Sequence, residues 1–197
     1  MWFEEVARRL EAKPVRRLAL SGATPAAVLV PLYVAGGELW VLLTRRADHL
    51  LHHPGQYAFP GGAKDPEDRD EVATALREAR EELGIVEESV MVLGHLNDLL
   101  TVTNFVISPV VGALPYPHVL QPDPREVAAV VPVPFSVLAN PLLVEEQEFV
   151  WQGERVRSPV LHYGPHRIWG ATARMLLELV ERLTSGEEGG AGPKRSP

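Results

Sequence analysis

The stretch ALREAREELGI, Ala75 to Ile85, packs three glutamates and two arginines into eleven residues, and the rest of the chain is read outward from it. At about 100° per residue, Val72, Ala75, Leu76, Ala79 and Leu83 share one apolar face, which predicts an amphipathic helix held against a sheet. Asp68 with Glu71 three residues later resembles a capping box, and Gly84 stands where a C-terminal cap belongs, so the helix is expected from about Val72 to Leu83. Glu71, Glu78 and Glu82 fall within about 40° of one another on one flank, with Glu81 about 60° further round. Arg77 and Arg80 occupy the opposite flank.

A solvated surface helix accounts for Glu81, four residues after Arg77. It does not account for Glu78 and Glu82, whose neighbours at three and four positions include each other and no Lys or Arg. That like-charge spacing costs about a few tenths of a kcal/mol. Positive charge is therefore expected from outside the helix. Hard carboxylate oxygens suit Mg²⁺ or Mn²⁺, and an arginine from elsewhere in the chain is the alternative.

On either side the chain reads as strands. AAVLVPLYV and ELWVLLTRR form an apolar pair joined at Gly36-Gly37. Beyond the helix, SVMVLGHLNDLLTV, FVISPVVGALP and EVAAVVPVP read as further strands, and LLVEEQEFVWQGERVRSPVLHY as a hairpin turning at Gln152-Gly153. Residues 3 to 12 form a short amphipathic helix, and WGATARMLLELVERLTSG a longer one with Met175, Leu176, Leu179, Val180 and Leu183 on its apolar face. Strand runs broken by a few helices indicate an α+β or layered α/β/α sandwich with a mixed sheet. We read residues 1–184 as one domain with a short N-terminal helical extension, and 185–197, rich in Gly, Pro and charge, as a flexible tail.

Composition narrows the function classes. At 197 residues and 46% hydrophobic the chain supports a full core. A net charge of -7 argues against a nucleic-acid or anionic-membrane surface and leaves room for an acidic site that gathers cations. With no cysteine, disulfides, thiolate catalysis and sulfur-ligated zinc are excluded. The N-terminus lacks the basic and apolar regions of a signal peptide and no apolar run reaches bilayer length, so a cytoplasmic location is expected. His49, His52 and His53 have a spacing that suits zinc on a helix, but Pro54 and the lack of an HExxH pattern argue against it. Arg45 and Arg46 close an apolar strand, where they are candidates to meet phosphate.

LREAREELGI resembles the core of the Nudix box, Arg-Glu-apolar-x-Glu-Glu-x-Gly-apolar, met in order from Arg77 to Ile85. Upstream, LLTRRADHLLHHPGQYAFPGGA resembles the signature of the coenzyme A pyrophosphatases among the Nudix hydrolases. Leu42, Leu43, Thr44, Arg46, Gly55, Phe59, Pro60, Gly61 and Gly62 match in register, while Ala47 stands for Ser and Leu51 for a second Arg. At the front of the box, Gly62 lies fifteen residues before Arg77 rather than fourteen, and Arg69 replaces the early glutamate. A one-residue insertion, with Asp68 or Asp70 in a structural role, explains both.

The resemblance implies a Nudix-type α/β/α sandwich and Mg²⁺- or Mn²⁺-dependent hydrolysis of the pyrophosphate of coenzyme A or acyl-CoA. It implies that Glu78 and Glu82 are the principal metal ligands, Glu81 a further ligand or base, and Arg77 an orienting ion-pair partner. Substrate would meet Arg46, Arg45, Gly61 and Gly62. The base stays open among Glu81, Glu126, Glu145, Glu146 and Glu148. The expected partner is a small molecule, with no nucleic acid or membrane, and a homodimer is left open. Rival readings are a Nudix pyrophosphatase for another substrate, such as ADP-ribose, a dinucleotide polyphosphate or an oxidised nucleotide, and a non-catalytic Nudix module that only binds nucleotide.

Overall fold

The structure, a computed structural model, describes residues 2–151 and 153–185. Residues 186–197, most of the segment read as a tail, lie outside the described residues. In chain order the elements are α1 (Trp2–Glu11), β1 (Thr24–Ala35), β2 (Glu38–Arg46), β3 (Tyr57–Ala58), β4 (Gly61–Ala63), α2 (Glu71–Leu83), β5 (Met91–His95), β6 (Leu99–Leu100), β7 (Phe105–Ala113), β8 (Val127–Pro134), α3 (Phe135–Leu138), β9 (Val144–Trp151), β10 (Glu154–Tyr163), β11 (His166–Trp169) and α4 (Gly170–Thr184).

The near-continuous apolar run of β1 makes it the central strand, because only a strand covered on both faces can bury such a run. It pairs antiparallel with β2 and β4 and parallel with β7, so the sheet is mixed as expected. The β1–β2 connection is Gly36-Gly37, with φ of 60° and 78°, the two positive values a tight hairpin turn requires. The sheet runs β3-β2-β1-β7-β5, with β8 on β2, β4 on β1 and β6 on β7.

Strand alternation divides the core in two. Ala27 and Leu29 of β1, with Leu42 and Val110, meet Ala75, Ala79 and Leu83 of α2. Val28, Val30 and Leu32, with Val41 and Leu43, meet Leu176, Leu179 and Leu183 of α4 and Val6 and Leu10 of α1. The result is three layers, α2 over the sheet over α1, α3 and α4. Leu83 is fully buried, and Leu83→Ala would cost about 2–5 kcal/mol.

Three local expectations are corrected. The cap of α2 is Asp70, not Asp68: Asp70 accepts from Ala73 N–H at 2.8 Å, and the helix starts at Glu71. SVMVLGHLNDLLTV is two short strands, broken where Asp98 is buried to accept from Leu18 N–H and Ser108. The β9–β10 hairpin joins β11 in a separate three-stranded sheet rather than extending the main one. Gly84, with φ of 67°, does end α2 as its C-cap.

Candidate active site

Helix α2 presents its acids to β4, and the glycines there set how close they come. Glu82 is 4% exposed, and its Oε1 accepts from Gly61 N–H at 3.1 Å. Burial raises this carboxyl first; the Gly61 bond and Arg46 work against it, while Glu126 and Glu78 raise it further, to about 7. Glu78, one turn earlier, is also raised, chiefly by burial, with Arg77 opposing and Glu81 and Glu126 adding to the rise. Glu126 therefore makes both Glu78 and Glu82 harder to ionise, and Glu78 does the same to Glu82.

Gly62, opposite Ala27 in β1, faces Glu78: a Cβ there would lie 2.5 Å from Glu78 Oε1. At Gly61 a Cβ would instead meet backbone, with Val28 Cα at 2.7 Å. The first glycine makes room for a carboxylate and the second for the neighbouring strand.

Arg77 departs from the helical-wheel expectation. Its side chain folds back, donating to Asp68 Oδ1 at 3.1 Å and Oδ2 at 3.0 Å, to Ala63 C=O at 3.1 Å, to Glu78 at 2.8 Å and to Glu81 at 3.3 Å. A long flexible side chain crosses what backbone spacing separates. Asp68 is held down at about 2, chiefly by the hydrogen bond from Arg77, and Arg77 is raised in turn. Asp68 thus anchors the arginine, one of the two acids for which a structural role is expected. The acidic stripe also divides: Glu71 is drawn off by Arg17 at 2.8 Å, whereas Glu78, expected to find its positive charge outside the helix, is met by Arg77 of its own helix. Glu82 keeps a backbone partner alone among the hydrogen bonds of the described residues.

The other expected residues sort by strand face. Arg46 comes to the acids: it acts electrostatically on Glu82, and its Nε is buried with no hydrogen-bond partner among the described residues. Arg45 does not; it pairs with Asp48 at 2.5 Å and follows Val41 and Leu43 toward the α4 side. Of the loop carboxylates, Glu126 reaches the site. Its C=O accepts from Ala47 N–H at 2.8 Å, and the turn before it is tied to α2 by Asp123 N–H donating to Glu82 C=O at 2.9 Å. Glu145 is engaged by His162 at 2.9 Å, and Glu148 by Arg155 and Arg157, on the separate sheet. His49, His52 and His53 are exposed.

The donor set fits a hard divalent cation. Glu78 and Glu82 supply carboxylate oxygens one turn apart, and the glycine at position 62 keeps a side chain out of the space before Glu78. Among the described residues no group of three acids or imidazoles is placed to hold a metal ion, and Glu81, which pairs with Arg77 and Arg80, does not join Glu78 and Glu82 in a ready ligand set.

Residues 23–151 match the NUDIX domain, well over half of the chain. The chain belongs to the Nudix family. It is 39% identical over 158 residues to a protein of Photorhabdus laumondii named "Uncharacterized Nudix hydrolase NudL", covering 80% of this chain and 84% of that protein. A protein of the same name from an Enterobacter species is 40% identical over 158 residues, covering 80% and 82%. Among solved structures, a NUDIX hydrolase from Alicyclobacillus acidocaldarius superposes with a TM-score of 0.51 at 21% identity, over 82% of this chain and 93% of that one, a likeness of fold. The chain is accordingly a Nudix hydrolase, of a family that cleaves pyrophosphates of nucleoside diphosphate derivatives and generally uses divalent metal. No helix among the described residues is long and apolar enough to cross a membrane.

Proposed function

We propose that this Nudix hydrolase cleaves the pyrophosphate of coenzyme A or its thioesters to 3',5'-ADP and (acyl-)4'-phosphopantetheine, with Mg²⁺ or Mn²⁺ held by Glu78 and Glu82 and Glu81 as a further acid beside them. The observation that carries the chemistry is Glu82: a 4% exposed carboxyl, fixed by Gly61 N–H and raised first by burial and then by its acidic neighbours, one turn from Glu78. A bound divalent ion would neutralise phosphate charge and make water more acidic.

The chain's own residues position and neutralise. Arg77, anchored on Asp68, holds Glu78, and Gly61 holds Glu82, so the ligand oxygens are set before substrate arrives. Arg46, with a buried unpartnered Nε, is our choice for the phosphate contact. For the base we favour Glu126, the loop acid whose charge reaches both Glu78 and Glu82. Its carboxylate takes the proton of the attacking water as the new P–O bond forms and the bridging P–O bond breaks. The leaving phosphate oxygen keeps the electron pair.

Coenzyme A is supported by the signature from Leu42 to Gly62, in which Arg46 and the two glycines occupy the positions just described. A second reading, another nucleoside diphosphate derivative such as ADP-ribose, is favoured by Leu51: 93% exposed, it puts an uncharged side chain where the signature has an arginine. A substrate panel with Mg²⁺ and Mn²⁺, scored by product identity, decides between them. Cleavage of ADP-ribose with coenzyme A untouched would overturn the substrate assignment.

A further inference from the structure

The NUDIX match ends at residue 151, yet the segment beyond it reaches back to the glycine turn. Strand β3, Tyr57–Ala58, leads straight into Phe59-Pro60-Gly61-Gly62, and its fastening can be followed group by group. Ala58 C=O accepts from Thr44 Oγ1 at 3.1 Å, and Pro60 C=O accepts from Leu29 N–H at 2.9 Å. Gly61 N–H then donates to Glu82. Tyr57 C=O, the first of the series, accepts from Thr172 Oγ1 at 3.0 Å, and Tyr57 Oη lies 2.8 Å from His166 Nδ1 with the two rings edge to face.

Thr172 is 6% exposed in the first turn of α4. That turn is itself fixed: Gly170 N–H donates to Ser158 Oγ in β10 at 3.0 Å, serving a helix start whose own N-cap residue, Trp169, makes no side-chain cap. Phe59, 3% exposed, packs in the same core as Ile168, Ala173 and Met175. A buried hydroxyl facing a backbone carbonyl has a definite cost if removed, because the carbonyl is then unpaired away from water.

We infer that β10, β11 and α4 form a clasp on the glycine turn, in which Thr172 and His166 are positioning residues for hydrolysis, acting through Tyr57 on the Gly61 N–H that orients Glu82. The inference rests on the metal-site reading above but not on the substrate: it holds for whichever nucleoside diphosphate derivative the wild type turns over. The clasp explains why a segment outside the domain match ends on the strand that leads into the glycine turn facing the acids.

The test compares Thr172→Val, nearly the same shape without the donor, with Thr172→Ser, which keeps it. Turnover of the best panel substrate, Mn²⁺ affinity by calorimetry and Tm are measured on each full-length protein. Loss of placement at Gly61 should lower kcat about tenfold with KM within about twofold, and weaken Mn²⁺ binding several-fold. Thr172→Ser should restore both. If Thr172→Val does not fold, Tyr57→Phe, which breaks only the His166 bond, is read by the same measurements, with about a threefold fall in kcat expected. A folded Thr172→Val, or failing that Tyr57→Phe, with a lower Tm but unchanged kcat and Mn²⁺ affinity makes the clasp merely structural and overturns the inference.

Discussion

Replacing Glu82 by Gln should make the metal-free protein more stable at pH 8 while removing its activity. In the folded chain this carboxyl is raised from 4.5 to about 7, first because it is buried. Below about pH 4.5 it is protonated in folded and unfolded chains alike and contributes nothing to the difference. Between about 4.5 and 7 the unfolded chain releases the proton while the folded chain keeps it, so stability falls as pH rises, the reverse of a salt-bridged carboxylate. At about 1.4 kcal/mol per pH unit the loss reaches about 3 kcal/mol above pH 7, a ceiling. Gln has the same shape and can still accept from Gly61 N–H, but carries no charge to desolvate. In EDTA, thermal melts followed by circular dichroism should show Glu82→Gln melting roughly 5–10 °C above wild type at pH 8, and close to it near pH 4.5. Saturating Mg²⁺ or Mn²⁺ should close the gap by stabilising wild type, about 2.7 kcal/mol at a hundredfold excess over Kd. A Gln variant no more stable than wild type at pH 8 in EDTA would refute the claim that burial of this charge is a cost which the cation offsets.

Other outcomes follow from the same geometry. Gly62→Ala places a Cβ against the flexible Glu78 carboxylate and should lower kcat about a hundredfold with stability within about 1 kcal/mol. Gly61→Ala meets the backbone of β1 and should cost several-fold more in a urea melt, so equal destabilisation of the two variants would contradict the assigned roles. Asp68→Asn frees Arg77: with Asp68 lowered to about 2, its contribution is present above about pH 4 and lost as pH falls through about 2. The variant should therefore lose about 1–3 kcal/mol at pH 7, with the deficit gone near pH 2. Leu51→Arg, at a position 93% exposed, should leave Tm unchanged and lower KM for coenzyme A several-fold; an unchanged KM would remove this loop from the phosphate contacts.

Much of this was legible in the chain because local pattern and tertiary role coincide. The apolar stripe of α2, the near-continuous apolar run of β1 and the Gly36-Gly37 turn each specify one conformation, and each is observed. The isolation of Glu82 was legible too, since no basic residue stands three or four positions away. The same spacing isolates Glu78, but the flexible guanidinium of Arg77 reaches it from the other flank, which a wheel of backbone directions does not register. Asp68 and Asp70 were both visible as acids before a helix, yet which one caps depends on where the chain turns, so Asp70 caps and Asp68 anchors Arg77. Among the loop glutamates, only folding separates Glu126, brought beside α2, from Glu145 and Glu148, paired on another sheet. The grip of Thr172 on Tyr57 spans 115 residues and has no local signature.

The most direct test of the whole account is turnover of coenzyme A by wild type, Glu78→Gln and Glu82→Gln, with Mg²⁺, Mn²⁺ or EDTA and products resolved by chromatography and mass. The account predicts 3',5'-ADP and 4'-phosphopantetheine in equal amounts from wild type with metal, and neither from wild type in EDTA or from folded Gln variants. Full activity retained by Glu82→Gln, or product formed at the same rate in EDTA, would contradict it.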